Sequence, residues 1–412
     1  MLSNQQYQHR MASKTLKLVR ADGSPVDSKE VTISQIKHKF LFGCGAFDTV
    51  PLASGELQGA AKEAVEDRLE KWLALFNAGT LPFYWGRFEQ EQGKPQTKEL
   101  MAAAKWLKER GCTVKGHPLC WHTVSAPWLL SMSNEEILKT QLNRIHREVT
   151  DFKGVIDMWD VINEVVIMPI FDKYDNGITR ICKDLGRVGM VKEVFAAAKE
   201  SNPGATLLLN DFNTSASYER LVDDCLEAGI PIDVIGIQSH QHQGYWGLEK
   251  TREVLERFSH FGLPIHFTEN TFVSGKLMPP EIDDLNDYQV EEWPTTPEGE
   301  ERQAKNFVEF YETLFAHPLV EAITTWNMID GNWLGAPAGL LRKDNSCKPA
   351  YDELMRLVKK DWWTTGTKRT DEEGKVTMSG FLGDYEVICG ASKAKFSLDK
   401  NGLPETIIIH DK

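Results

Sequence analysis

Two glutamates each sit where an apolar, strand-like run ends. Glu164 closes the run Ile156-Asp157-Met158-Trp159-Asp160-Val161-Ile162-Asn163, and Glu269 closes Leu263-Pro264-Ile265-His266-Phe267-Thr268. A buried strand that stops at a carboxylate, twice in one chain, is how a barrel enzyme presents an acid/base and a nucleophile to a sugar. Glycoside cleavage needs one carboxylic acid kept protonated for the leaving oxygen and one ionised carboxylate. If the two lie about 5–5.5 Å apart, the second attacks the anomeric carbon and configuration is retained. A glutamate in an apolar, aromatic pocket has its pKa raised and can serve as the acid.

Other chemistries find less support. His240-Gln241-His242 and the pair His117 and His122 could present imidazoles to a metal. There is no H-E-x-x-H and no third ligand at a telling spacing, so no metal is expected. Neither a G-x-G-x-x-G at a strand–helix junction nor a phosphate-binding G-x-x-x-x-G-K-[ST] is present, so no organic cofactor is implied.

The elements that must position the two glutamates read as a barrel. Eight apolar runs are strand candidates: Phe40–Gly45, Ala74–Ala78, Val114–Cys120, Ile156–Ile162, Ala205–Asn210, Val234–Gln238, Pro264–Thr268 and Ala322–Asn327. Amphipathic stretches alternate with them, as in Glu300–His317, where Phe307, Phe310, Tyr311 and Leu314 recur at i, i+3, i+4 and i+7. The pattern predicts an α/β fold, a (β/α)8 TIM barrel over residues 38–365. Glu164 and Glu269 then close strands four and seven and can face one cleft.

Residues 1–14 read as a disordered tail. Residues 15–37 read as two strands, Leu16–Arg20 and Val31–Gln35, and residues 366–412 as a four-strand meander: Lys375–Met378, Asp384–Cys389, Ala394–Leu398 and Thr406–His410. The two ends are expected to form a small β-sheet module that serves as scaffold, since its strands carry almost no Trp. Residues 270–298 form a long loop on the catalytic side, long enough to shape a cleft.

Composition sets the remaining bounds. With 41% hydrophobic and 26% charged residues the chain is globular. No apolar run approaches the roughly 18 residues of a membrane span. A net charge of −13 with no clustered Lys/Arg argues against nucleic acid and weakly favours a neutral or cationic ligand. Seven cysteines without C-x-x-C suggest buried thiols. No apolar leader follows Met1, so a cytoplasmic location is expected, or a secreted one if a signal was trimmed. Oligomeric state stays open.

The flanks of the glutamates resemble glycoside hydrolase family 10, the endo-β-1,4-xylanases. The resemblance is carried by Trp159-Asp160-Val161-Ile162-Asn163-Glu164, Gly236-Ile237-Gln238-Ser239-His240, Lys115-Gly116-His117-Pro118-Leu119-Cys120-Trp121-His122 and Leu209-Asn210-Asp211-Phe212-Asn213. Thr325-Trp326 with Trp333, and Lys348-Pro349-Ala350-Tyr351, continue it in order over about residues 40–360. The resemblance implies Glu164 as acid/base and Glu269 as nucleophile, with Asn163 donating to the sugar 2-OH. It implies a sugar site lined by His117, Trp121, Asn210, Gln238 and His240 and covered by Trp326 and Trp333. The implied partner is a β-glycan or β-glycoside, with xylan foremost.

Two departures qualify that expectation. Where the family has T-x-E-N-x-x-K-W, gripping the xylose one unit further from the bond, this chain has Thr80-Leu81-Pro82-Phe83-Tyr84-Trp85-Gly86-Arg87. Phe83 cannot replace an amide and Gly86 carries no charge, although Arg87 or Glu89 could compensate. Phe83, Tyr84 and Trp85 could instead receive an apolar aglycone or a decorated sugar. The family's T-E-L-D becomes Thr268-Glu269-Asn270-Thr271, which removes the Asp expected to orient His240. Both losses leave room for a sugar-binding barrel without turnover.

Overall fold

The computed structural model describes residues 4–409. Its chain divides into two compact units, residues 42–351 and a second built from the two ends. The boundaries fall at Leu41/Phe42 and Tyr351/Asp352, not at the expected 37 and 366.

Eight parallel strands close the barrel: β3 (Leu41–Gly45), β4 (Ala78–Pro82), β5 (Thr113–His117), β6 (Met158–Asn163), β7 (Thr206–Asp211), β8 (Val234–Gln241), β9 (Ile265–Phe272) and β10 (Val320–Thr325). Seven of the eight overlap the expected strands over four residues or more. The second does not. Leu75 ends the helix Gly59–Leu75, and the strand starts only at Ala78. The run from Trp72 to Phe76 is apolar enough for either element, and Trp72 and Leu75 are spent on the helix's buried face.

The intervening helices begin where local chemistry starts them. Ser133 and Glu136 form a reciprocal capping box on Asn134–Asp151. Thr296 caps Pro297–Phe315, with Pro297 in the first turn, where a missing N–H costs nothing. The face carried by Phe307, Phe310, Tyr311 and Leu314 is fully buried.

Two irregularities in the ladder lie beside the catalytic strands' ends. Between Asp160 and Ile162 of β6 the partner β7 advances only from Leu208 to Leu209, so β6 carries one extra residue. Between Phe267 and Glu269 of β9 the partner β8 advances only from Ile237 to Gln238. A bulge of this kind bends its strand and re-aims the side chains that follow. The second immediately precedes Glu269, and the first lies three residues before Glu164.

The end unit differs from expectation in three ways. The expected disordered tail is ordered from Asn4: Asn4–Arg10 form a 3-10 turn, and β1 runs Met11–Arg20. Residues 1–3 and His410 lie outside the described residues. Instead of one sheet there are two. One is ordered β12 (Lys375–Phe381), β1 and β15 (Glu405–Ile409). The other is ordered β11 (Thr365–Arg369), β2 (Glu30–His38), β13 (Gly383–Cys389) and β14 (Ser392–Leu398). Leu16, Leu18, Val376 and Ile407 of the first share a core with Ile33, Tyr385, Val387 and Phe396 of the second. Strand β11 was invisible because all five residues are exposed and none is apolar. No helix among the described residues is long and apolar enough to cross a membrane.

Candidate active site

Glu164 follows β6 in a left-handed conformation, with φ 58°. A non-glycine residue there is strained, and the surroundings must hold it. They do so through Asp211, at the end of β7. Its carboxylate accepts from the Val166 N–H at 3.0 Å and the Asn213 N–H at 2.9 Å, pinning the turn after Glu164. Burial is the main cause that raises the Asp211 pKa to about 6.

One hydrogen-bond net joins the two glutamates. Glu269 Oε1 accepts from Asn210 Nδ2 at 3.1 Å, and the same nitrogen donates to Asn163 Oδ1 at 2.7 Å. Gln238 Nε2 donates to Asn163 Oδ1 at 3.1 Å and to Glu164 Oε1 at 3.0 Å. Trp121 Nε1 donates to Glu164 Oε2 at 2.8 Å. Thr268 Oγ1 donates to Asn210 Oδ1 at 2.6 Å, which orients that amide.

On the other side of Glu269, His240 Nε2 lies 3.0 Å from Oε2 and His117 Nε2 lies 3.9 Å from Oε1. The His117 Nδ1–H donates to Asp160 Oδ2 at 2.7 Å. Lys115 Nζ lies 2.7 Å from the same oxygen, as an ion pair rather than an aligned hydrogen bond. Lys115, Asp160 and His117 are nearly inaccessible, so the chain they form acts on Glu269 with little screening by solvent.

The two carboxyls are driven apart. Burial is the largest influence on Glu164; although its side chain keeps a partly open face, enclosing protein raises its pKa to about 8. Hydrogen bonds from Gln238 and Trp121 oppose that rise, and the charges of Glu269 and Asp211 add to it. Burial would raise Glu269 as well. The imidazole of His117, the hydrogen bond from His240 and the charge of Lys115 outweigh it and hold Glu269 below the ordinary glutamate range. At neutral pH one carboxyl is therefore an acid and the other an anion, the division that glycoside cleavage requires.

Aromatic rings wall the recess. Trp326 meets His117 edge-on at 5.3 Å between centroids, and Trp333 lies over His240 at 4.3 Å. Tyr84 packs against His117 and Trp121 at 5.7 and 5.6 Å. The structure thus gathers all ten expected residues: Glu164, Glu269, His117, Trp121, Asn163, Asn210, Gln238, His240, Trp326 and Trp333.

Expectations about the departures need correction. Phe83 does not face the cleft; it is in the core against Phe88, Phe152 and Trp159. Trp85 is buried under the Arg144 guanidinium, so Tyr84 alone of that set reaches the recess. Glu89 is held by Arg147 at 2.6 Å and by Trp85 Nε1 at 3.1 Å, so it compensates for nothing. Arg87 is exposed, 5.7 Å from the Tyr84 ring. The glycine at 86 has a steric cause, because a Cβ there would come within 2.7 Å of the Ser125 carbonyl and 3.0 Å of the Val124 carbonyl.

His240 is oriented after all. Its Nδ1 lies 3.0 Å from Thr271 Oγ1, so the threonine stands where an Asp was expected. With Nε2 on Glu269 and Nδ1 on the threonine hydroxyl, both ring nitrogens are engaged and the plane of the imidazole is fixed. Thr271→Val should lower kcat about tenfold or more with little change in KM, and Thr271→Ser should restore it. Equal kcat in Thr271→Val and the parent would show that the hydroxyl does not orient the ring.

Sequence reasoning assigned no role in the site to Lys115, Asp160, Asp211 or Thr271, and it offered Tyr84 only as part of an apolar receptor. A period of two could have found one pair, because Lys115 lies two positions before His117 and shares its face of β5. Gly116 between them faces the Trp159 ring, which a Cβ would strike at 2.1 Å.

An eight-stranded barrel that holds one raised and one depressed glutamate in a single net defines the class of carboxylate-pair glycosidases. The profile of Glycosyl hydrolase family 10 matches residues 82–357, and the chain belongs to that family. It is 26% identical to an endo-1,4-beta-xylanase/feruloyl esterase of Xylanibacter ruminicola, over 82% of this chain and 51% of that protein. It is 26% identical to endo-1,4-beta-xylanase B of Thermotoga neapolitana, over 66% of this chain and 78% of that one. The chain thus spans about half the length of the first relative and more of the second. Native xylanase 10B from Thermotoga maritima shares the fold, with a TM-score of 0.63 at 23% identity, covering 78% of this chain and 96% of that one.

Proposed function

We propose that the chain is a retaining hydrolase of β-1,4-linked xylan or xylo-oligosaccharides. The observation that carries this reading is the split pair, Glu164 raised to about 8 and Glu269 held low within one net of amides. In the first step a Glu269 carboxylate oxygen attacks the anomeric carbon while the Glu164 proton passes to the glycosidic oxygen, and the leaving sugar departs. The enzyme then holds a glycosyl ester on Glu269. In the second step Glu164, now a carboxylate, takes a proton from water as the water oxygen attacks the same carbon and frees Glu269.

The reading assigns Asn163 to the sugar 2-OH, His117 and His240 to the ring beside the nucleophile, and Trp326 and Trp333 to its cover. Burial of Phe83 and Trp85 removes the apolar receptor that would have favoured a hydrophobic aglycone. The deciding experiment is proton NMR of early product from xylohexaose. The first-formed reducing sugar should be the β anomer. An α anomer would require room for a water between the carboxylates and sink the mechanism.

A further inference from the structure

The long segment after β9 is not a loose loop. Val273, Met278, Trp293, Ala336 and Ala338 form a small core of their own. Its base is tied down by Lys348 Nζ to Ser274 Oγ at 2.8 Å, and by Arg302 Nη2 to the Val273 carbonyl at 3.1 Å and the Gly275 carbonyl at 2.5 Å. From there it passes over the end of β8. Met278 N–H donates to the His242 carbonyl at 2.9 Å, and Gln243 Nε2 donates to the carbonyls of Pro279 and Ile282 at 2.9 and 2.7 Å.

The tip then reaches the segment that follows β6. Lys173 Nζ lies 2.7 Å from Asp284 Oδ2 and 2.8 Å from each carboxylate oxygen of Asp287. One ammonium thus serves two carboxylates. The joined segments are those that leave the two catalytic strands, one after Glu164 and one after Glu269. With β6, β7, β8 and β9 below, they complete a ring over that arc of the barrel's rim. A sugar chain extending from the bond across this arc must thread the ring or open it.

We propose that Lys173, with Asp284 and Asp287, is a specificity-determining clasp that hinders long xylo-oligosaccharides on this side of the cleft and admits short ones. The proposal rests on the reading of the site as a xylan-type hydrolase. The clasp is built to open. Lys173, Asp284 and Asp287 are 41%, 33% and 60% exposed, and exposed ion pairs hold weakly and are screened by salt. Around it the segment carries Glu281, Asp283, Glu291 and Glu292, whose mutual repulsion favours release once the lysine is gone.

The test uses full-length protein carrying Glu269→Ala, so that binding is read without turnover. Association rates of xylohexaose and xylobiose are followed by tryptophan fluorescence, with and without Lys173→Ala. The xylohexaose-to-xylobiose ratio should rise roughly three- to fivefold in Lys173→Ala, the size an exposed ion pair imposes on an equilibrium. Salt at about 1 M, where the Debye length is ~3 Å, should raise the ratio in the lysine form and leave Lys173→Ala unchanged. Lys173→Glu combined with Asp284→Lys and Asp287→Lys should restore the low ratio. An unchanged ratio in Lys173→Ala overturns the clasp. Failure of the unmutated protein to hydrolyse xylohexaose while the ratio still moves would overturn the proposed reaction and not the clasp. No binding of either sugar would overturn both.

Discussion

Glu269→Ala should abolish hydrolysis of every β-glycoside the protein accepts, activated or not. In the proposed mechanism a carboxylate oxygen of Glu269 bonds to the anomeric carbon, so no other group in the net can stand in for it. Asn210, His240 and His117 are all aimed at its oxygens. Removing a nucleophile that acts within such a unit costs on the order of 10⁴-fold or more in kcat, about 5 kcal/mol or more of transition-state stabilisation. The measurement is release of 4-nitrophenol from 4-nitrophenyl β-xyloside, beside product sizing on xylan. Residual activity within tenfold of the parent would remove Glu269 from the reaction.

Glu164→Ala should separate substrates by leaving group. A sugar leaving from xylan needs a proton, and losing its donor should slow that reaction by about 10²–10⁴-fold. A nitrophenolate needs little protonation, so formation of the glycosyl ester from an aryl xyloside should be much less affected. Equal losses on both would place the proton donor elsewhere. The pH profile carries the same claim with a definite sign. Glu164 works in its protonated form, which is present below its pKa and lost as pH rises, so kcat/KM should fall on the alkaline side near pH 8. Glu269 works ionised in this mechanism, so the acid limb should lie below the ordinary glutamate range. Glu164→Ala should erase the alkaline limb for aryl xylosides and leave the acid limb in place.

The chain's chemistry and its fold were legible at different depths. The two glutamates at the ends of apolar runs and the eight further residues implied by the family resemblance converge on one recess, because strand ends in a closed parallel barrel face the same side. Helices were readable from their apolar stripes, as from Phe307 to Leu314, although the expected start at Glu300 overlooked the Thr296 cap. The second barrel strand was misplaced because an apolar run of five residues fits a helix face as well as a strand. Strand β11 left no signal, since an exposed edge strand need not alternate.

By itself, then, the sequence determined the class of fold and where the family's distal grip is missing, and it pointed to a glutamate pair as the chemistry. Tertiary structure decided how those groups are aimed and tuned. The bulges before Glu164 and Glu269, the left-handed turn at Glu164 and the Lys115–Asp160–His117 chain each arise from contacts between strands far apart in sequence. The same holds for Thr271 under His240 and for Lys173 between two aspartates. A carboxyl's pKa depends on how much protein encloses it and which charges face it, quantities that exist only once the chain has closed.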